Sequence, residues 1–207
     1  FPGLRNEAAF QAYNLRPFDK HRVHVADMEG PDPVDSQILA YMPLVGRRYQ
    51  DGLGRFWSDW LLTESEAKAK AGDRYALDGH KFWPYVLWYD PDLPLVKPED
   101  LPLAHVFRGF GWVSMRSSWK EDATFALFIC SPTWFGGHQH CDNNSFIIHK
   151  YAPLALDTGV YDTAQGHRAN YFARTIAHNT VTVFDPEEKF TGGDWGINPN
   201  QPVSNDG

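Results

Sequence analysis

Apolar and polar positions repeat differently in the two halves of this 207-residue chain. Over 35–49, Ile38, Leu39, Met42 and Val45 recur at three- and four-residue steps, which predicts a helix capped by Asp35 or Ser36. Leu53, Phe56, Trp57, Trp60 and Leu61 repeat that spacing over 53–62. Residues 64–71, rich in Ala, Glu and Lys, predict a short third helix, and 81–89 a fourth crowded with aromatics. Asp90-Pro91 and the prolines up to Pro102 end it, since proline lacks an amide proton and disfavours helix in the residue before it.

Further on the pattern shortens. Residues 105–115, 124–129, 145–149, 154–157 and 180–184 are short runs rich in Phe, Val and Ile. Ser131-Pro132, Ala152-Pro153, Thr158-Gly159 and Asp185-Pro186 separate them as turns. Strands at this spacing predict an antiparallel β-sandwich. The fold class is therefore α+β: a helical segment over 1–100, a change of character at 95–104, and a β domain over 101–207 that is expected to be incomplete. Phe1-Pro2-Gly3 and Asn205-Asp206-Gly207 read as the ends of an internal piece of a longer protein.

Composition narrows the function classes. With 43% hydrophobic and 22% charged residues the chain is globular and long enough to bury a core. Aromatics reach 15%; most should fill the core, but such rings also stack on sugars. A net charge of −7 argues against a nucleic-acid partner, and an acidic ligand would need local positive charge. Cys130 and Cys141 could pair, but two thiols make no disulfide framework. No apolar run approaches the ~20 residues of a membrane helix.

Three segments carry metal-capable side chains: Gly136-Gly137-His138-Gln139-His140-Cys141-Asp142, Leu154-Ala155-Leu156-Asp157-Thr158-Gly159, and Thr175-Ile176-Ala177-His178-Asn179-Thr180. In each, the donor is expected at the edge of a strand. His138 and His140, two apart, would leave one face of an extended backbone. Asp157 would end a strand and His178 begin one. Strands ~4.8 Å apart could then bring three donors to one ion at ~2.0–2.2 Å. Two imidazoles and a carboxylate suit zinc first, with manganese or iron as other divalent choices. The plainer readings are a hydrogen-bonded histidine and a turn aspartate.

The run 137–146 (Gly-His-Gln-His-Cys-Asp-Asn-Asn-Ser-Phe), with 153–161 (Pro-Leu-Ala-Leu-Asp-Thr-Gly-Val-Tyr) and 174–180 (Arg-Thr-Ile-Ala-His-Asn-Thr), resembles the heparinase II/III family of polysaccharide lyases. Val-Phe-Asp-Pro-Glu-Glu (183–188) and Gly-Trp-Val-Ser-Met-Arg-Ser-Ser-Trp (111–119) fit as well. The resemblance implies the last helices of an α/α toroid followed by the antiparallel sandwich. It implies zinc held by His140, Asp157 and His178. It implies β-elimination on a uronic-acid polysaccharide, heparin or heparan sulfate first, with alginate- or ulvan-type lyase action as the alternative. A bacterial periplasmic or secreted location follows from the same resemblance.

Within that chemistry, His138 is the first choice for a catalytic role, against a purely hydrogen-bonding one. Tyr161 is the second, as proton carrier or substrate contact, against a packed tyrosine. Gln139, Asn143 and Asn144 could donate to the uronate carboxylate. Arg174 and Arg168 could supply positive charge, against a solvated surface position for each. His21, His24 and His80 are too isolated to nominate. The metal is expected to pin the strands rather than activate water; hydrolysis at an open zinc is the enzymatic rival. A non-catalytic, metal-stabilised carbohydrate-binding β-module is the rival of another class. The expected partner is an acidic polysaccharide, with neither nucleic acid nor membrane, and a homodimer stays open.

Overall fold

The computed structural model describes residues 2–19, 21–26, 36–70, 79–132, 139–159, 171–181 and 186–187. The chain divides into two compact units, one of Phe1–Leu15 with Val34–Pro102 and the other of Arg16–Pro33 with Leu103–Gly207. Residues 16–26 thus group with the strands, although the sequence pattern placed them in the helical half.

The first unit holds α1 (Glu7–Tyr13), α2 (Ser36–Leu39), α3 (Met42–Tyr49), α4 (Gly52–Lys70) and α5 (Gly79–Trp88). The single helix expected over 35–49 is two. Pro43 lies in the first turn of α3, where it has no N–H to give the carbonyl of Leu39, so the hydrogen-bond ladder cannot run through. Conversely, the helices expected at 53–62 and 64–71 are one, because no Gly or Pro falls between Arg55 and Lys70 to break the ladder at their junction, where Thr63 bonds back to the carbonyl of Asp59 at 3.0 Å. Helix α1 was not anticipated. Its buried face (Ala8, Ala12 and Tyr13) meets Trp57 of α4, whose indole N–H donates to the carbonyl of Ala8 at 2.9 Å. Tyr13 donates to the carbonyl of Pro102 at 2.6 Å and Tyr85 to that of Ser58 at 3.1 Å. Each bond gives a buried phenol or indole its partner, as burial of such groups requires.

Among its described residues the second unit is an antiparallel five-stranded sheet in the order β1–β2–β3–β4–β5: Ala104–Phe107, Trp112–Arg116, Phe125–Ile129, Phe146–Lys150 and Ala152–Ala155. The run 105–115 is a hairpin rather than one strand. Gly111, at φ +69°, turns the chain where any Cβ would lie 1.9 Å from the carbonyl oxygen of Cys130. Alternation sets the faces. Phe125, Leu127 and Ile129 of β3 point to one side with Ile147 of β4, and Val23 and Val25 from the 16–26 segment complete that core. Arg116, Phe125 and His149 form one cross-strand row on it. On the opposite side Val106, Met115, Phe146 and Leu154 are exposed. Ala152-Pro153, read as a turn, lies within β5; the turn is Tyr151, at φ 59°. Cys130 and Cys141 do not form a disulfide.

Candidate metal and substrate site

The donors lie in loops next to strand ends, and most of the strand expected at 180–184, which His178 was to begin, lies outside the described residues. His140 lies in the loop before β4, Asp157 two residues beyond β5, and His178 directly after a 3-10 turn at Thr175–Ala177. Loops bring them together because they are tied by backbone and amide hydrogen bonds. Cys141 donates its N–H to the carbonyl of Ala173 at 2.9 Å. The Asn179 side-chain amide donates to the carbonyls of Phe146 and of Leu156, each at 2.9 Å, and so ties the residue after His178 to the start of β4 and to the residue before Asp157. Asn143, nominated for substrate, is exposed; its Oδ1 accepts the N–H of Ser131 at 2.7 Å and its carbonyl accepts the Thr180 hydroxyl at 3.0 Å.

His140, Asp157 and His178 are 1%, 2% and 7% exposed, an unusual burial for three ionisable groups. Asp157 Oδ1 lies 2.7 Å from Nδ1 of His178 and also accepts the N–H of Gly159 at 2.9 Å, the turn that aspartate makes with the residue two ahead. Among the described residues, Asp157 Oδ2 and His178 Nε2 are buried without a hydrogen-bond partner. The rings of His140 and His178 are 5.3 Å apart between centroids. Gly159 makes that approach possible. A Cβ there would fall 2.5 Å from His178 Cε1 and 2.7 Å from His140 Nδ1, so every other residue type would push the rings apart.

Two imidazoles sharing a tetrahedral zinc at ~2.0–2.1 Å have centroids ~5 Å apart, which these two satisfy. The donor types and the buried, unpartnered oxygen and nitrogen fit such an ion. The closure does not yet fit: among the described residues no group of three or more His, Cys, Asp or Glu is arranged to hold an ion as it stands. Asp157 and His178 bond to each other directly at 2.7 Å, whereas two ligands of one tetrahedral ion stand ~3.3 Å apart.

Asp142, quoted in the motif but not nominated, is 5% exposed. Burial and the Asp157 carboxylate raise its carboxyl to about 6, against the opposing pull of His178, so it belongs to the same electrostatic cluster. Arg174 is buried at 5% exposure rather than solvated. Gln139 is half-buried and Asn144 exposed, the latter at φ 64°. His138, Tyr161 and Arg168, and the side chain of His80, lie outside the described residues. Sequence reasoning also passed over Gly159, Thr158, Tyr171 and Asn179. The signal available for Asn179 was its place directly after His178; a glycine kept small by two facing rings leaves no one-dimensional signal.

No curated protein sequence matches the chain. Among solved structures it is similar to the heparan sulfate lyase HepC from Pedobacter heparinus, at 18% identity and a TM-score of 0.49 over 85% of this chain and 22% of that one. It is also similar to a heparinase III gene product, at 17% identity and a TM-score of 0.44 over 87% of this chain and 26% of the other. The chain thus spans about a quarter or less of those proteins. The heparinase II/III-like C-terminal family pattern matches residues 99–204, just over half of the chain. On that match the chain belongs to the heparinase II/III-like family.

Proposed function

We propose that this chain is part of a polysaccharide lyase that cleaves a uronic-acid-containing polysaccharide by β-elimination, with heparin or heparan sulfate as the first-choice substrate. The observation that carries the reading is the buried cluster of His140, Asp157 and His178 around Gly159, in a chain whose family is that of the heparinases. The helices would be the end of an α/α toroid. The exposed apolar side of the sheet, with Val106, Met115, Phe146 and Leu154, supports a second sheet completing a sandwich. A periplasmic or secreted location suits so large a substrate.

His140, Asp157 and His178 would hold zinc, with Asp157 exchanging its hydrogen bond to His178 for a shared ion. Bound there, zinc would supply positive charge and fix the three loops. In the elimination the C5–H bond breaks and its proton goes to a base. The C4–O4 bond then breaks, its electrons leave on O4, which takes a proton, and a C4=C5 double bond remains. The C5 proton becomes acidic enough only when the neighbouring carboxylate is neutralised. His138 is the proposed proton acceptor in this part of the protein and Tyr161 a proton carrier or contact. Gln139, Asn143 and Arg174 are proposed along the sugar.

The test is absorbance of the 4,5-unsaturated uronate when the full-length protein meets heparan sulfate, chondroitin, alginate and ulvan. Product from the first would support the reading, and product from alginate or ulvan would move the substrate. Silence on all four with retained binding would replace the lyase with a carbohydrate-binding module.

A further inference from the structure

We infer that Tyr171 contacts the polysaccharide at this site and recognises a sugar hydroxyl, its phenolic oxygen serving as the acceptor. The inference rests on the proposed function and deepens it. Tyr171 is 39% exposed, yet its hydroxyl lies 3.3 Å from Oγ1 of Thr158, the residue between Asp157 and Gly159. Either oxygen could donate in that contact; a second bond decides. Thr158 Oγ1 is 2.5 Å from the carbonyl oxygen of Ala177, which can only accept. A hydroxyl has one proton, and that of Thr158 is spent on Ala177. Thr158 can therefore only accept from Tyr171, and the phenolic proton points inward.

The consequence is chemical selectivity. With its proton directed at Thr158, the phenol offers outward lone pairs. An ionised uronate carboxylate has only lone pairs of its own and is a poor match; a sugar O–H is a donor and fits. The ring is held for this purpose. Its edge-to-face contact with Phe172 has centroids 5.4 Å apart, and its own carbonyl accepts the N–H of Arg174 at 2.9 Å. Through Thr158 the phenol is tied to the residue after Asp157 and to the carbonyl of the residue before His178, so a sugar hydroxyl bound to it would lie beside the donor cluster.

The experiment compares full-length wild type with Tyr171→Phe on the polysaccharide that gives unsaturated product, alongside calorimetric binding of the same polysaccharide. Losing one hydrogen bond to a bound sugar should raise KM and Kd about five- to tenfold, with kcat within about twofold. Unchanged KM and Kd would overturn the inference, as would a loss confined to kcat. Thr158→Val sharpens the test: it should weaken binding in the wild-type background and add nothing to Tyr171→Phe. Additive effects would refute the inward proton. A wild type that binds polysaccharide without cleaving it sinks the lyase reading alone, because the calorimetric arm still reads Tyr171. One that neither binds nor cleaves sinks both.

Discussion

His149 should make the second unit acid-labile, and the size of the effect follows from its surroundings. The ring, on β4, is 1% exposed, and neither nitrogen has a hydrogen-bond partner among the described residues. Phe18 and Phe125 flank it, each 6.2 Å away between centroids. Burial, with a smaller contribution from Arg16 opposed by Asp19, lowers its pKa from 6.5 to about 4. The folded protein therefore keeps His149 neutral through a range in which the unfolded chain binds a proton there. Because the folded value lies below the unfolded one, the stabilisation is fully present above 6.5. It falls as pH drops toward 4 and levels off below. A gap of about 2.5 units is worth up to about 3 kcal/mol, a large share of a typical domain's 5–15 kcal/mol. The perturbation is His149→Phe, which keeps a flat ring and removes the titration. Urea unfolding at pH 7, 6, 5 and 4.5, followed by circular dichroism, gives the difference between variant and wild type and cancels other carboxylates. The variant should lose most of the destabilisation between pH 6.5 and 4, and at pH 7 should be no less stable, since two unsatisfied nitrogens leave the core. A wild-type ring titrating near 6.5 by nuclear magnetic resonance, or identical pH slopes for both proteins, would refute the argument.

Two further outcomes follow from other parts of the structure. Gly111→Ala should destabilise the sheet by more than about 2 kcal/mol, because φ +69° and the Cys130 carbonyl both oppose a Cβ; a melting temperature within a degree or two of wild type would contradict the hairpin geometry. His178→Ala should abolish bound zinc, read as metal per chain after dialysis, and should strand Asp157 as a buried carboxylate without its hydrogen-bonded partner, a loss of about 3 kcal/mol or more. Undiminished zinc would discard the proposed ligand set.

Much of this was legible in one dimension, wherever a local rule carried the information. The amphipathic spacing of Leu53 to Leu61 yields α4, and the prolines after Asp90 end the helices where the structure ends them. Runs rich in Phe, Val and Ile located β3 and β4 to within a residue. The fine errors have local causes that were present but unweighted: Pro43 divides a helix, and Gly109 and Gly111 bend a run that composition alone read as straight. His140, Asp157 and His178 were nominated from their residue types and from the family resemblance, and the structure gathers them from loops beside the strand ends.

Sequence by itself determined which segments become helix or strand, because backbone propensity and burial period act between near neighbours. Only the tertiary structure decided what depends on distant segments meeting. Residues 16–26 join the strands because Val23 and Val25 find their apolar partners in Phe125, Leu127 and Ile147, about a hundred residues away in a loop closure no local pattern encodes. Asp142 becomes a raised carboxyl only where burial, and secondarily Asp157, reach it. Gly159 becomes indispensable only because two imidazoles close on it, and the direction of the Tyr171 proton is set by a carbonyl belonging to Ala177. Such properties belong to a neighbourhood, which chain order does not contain until the chain has folded.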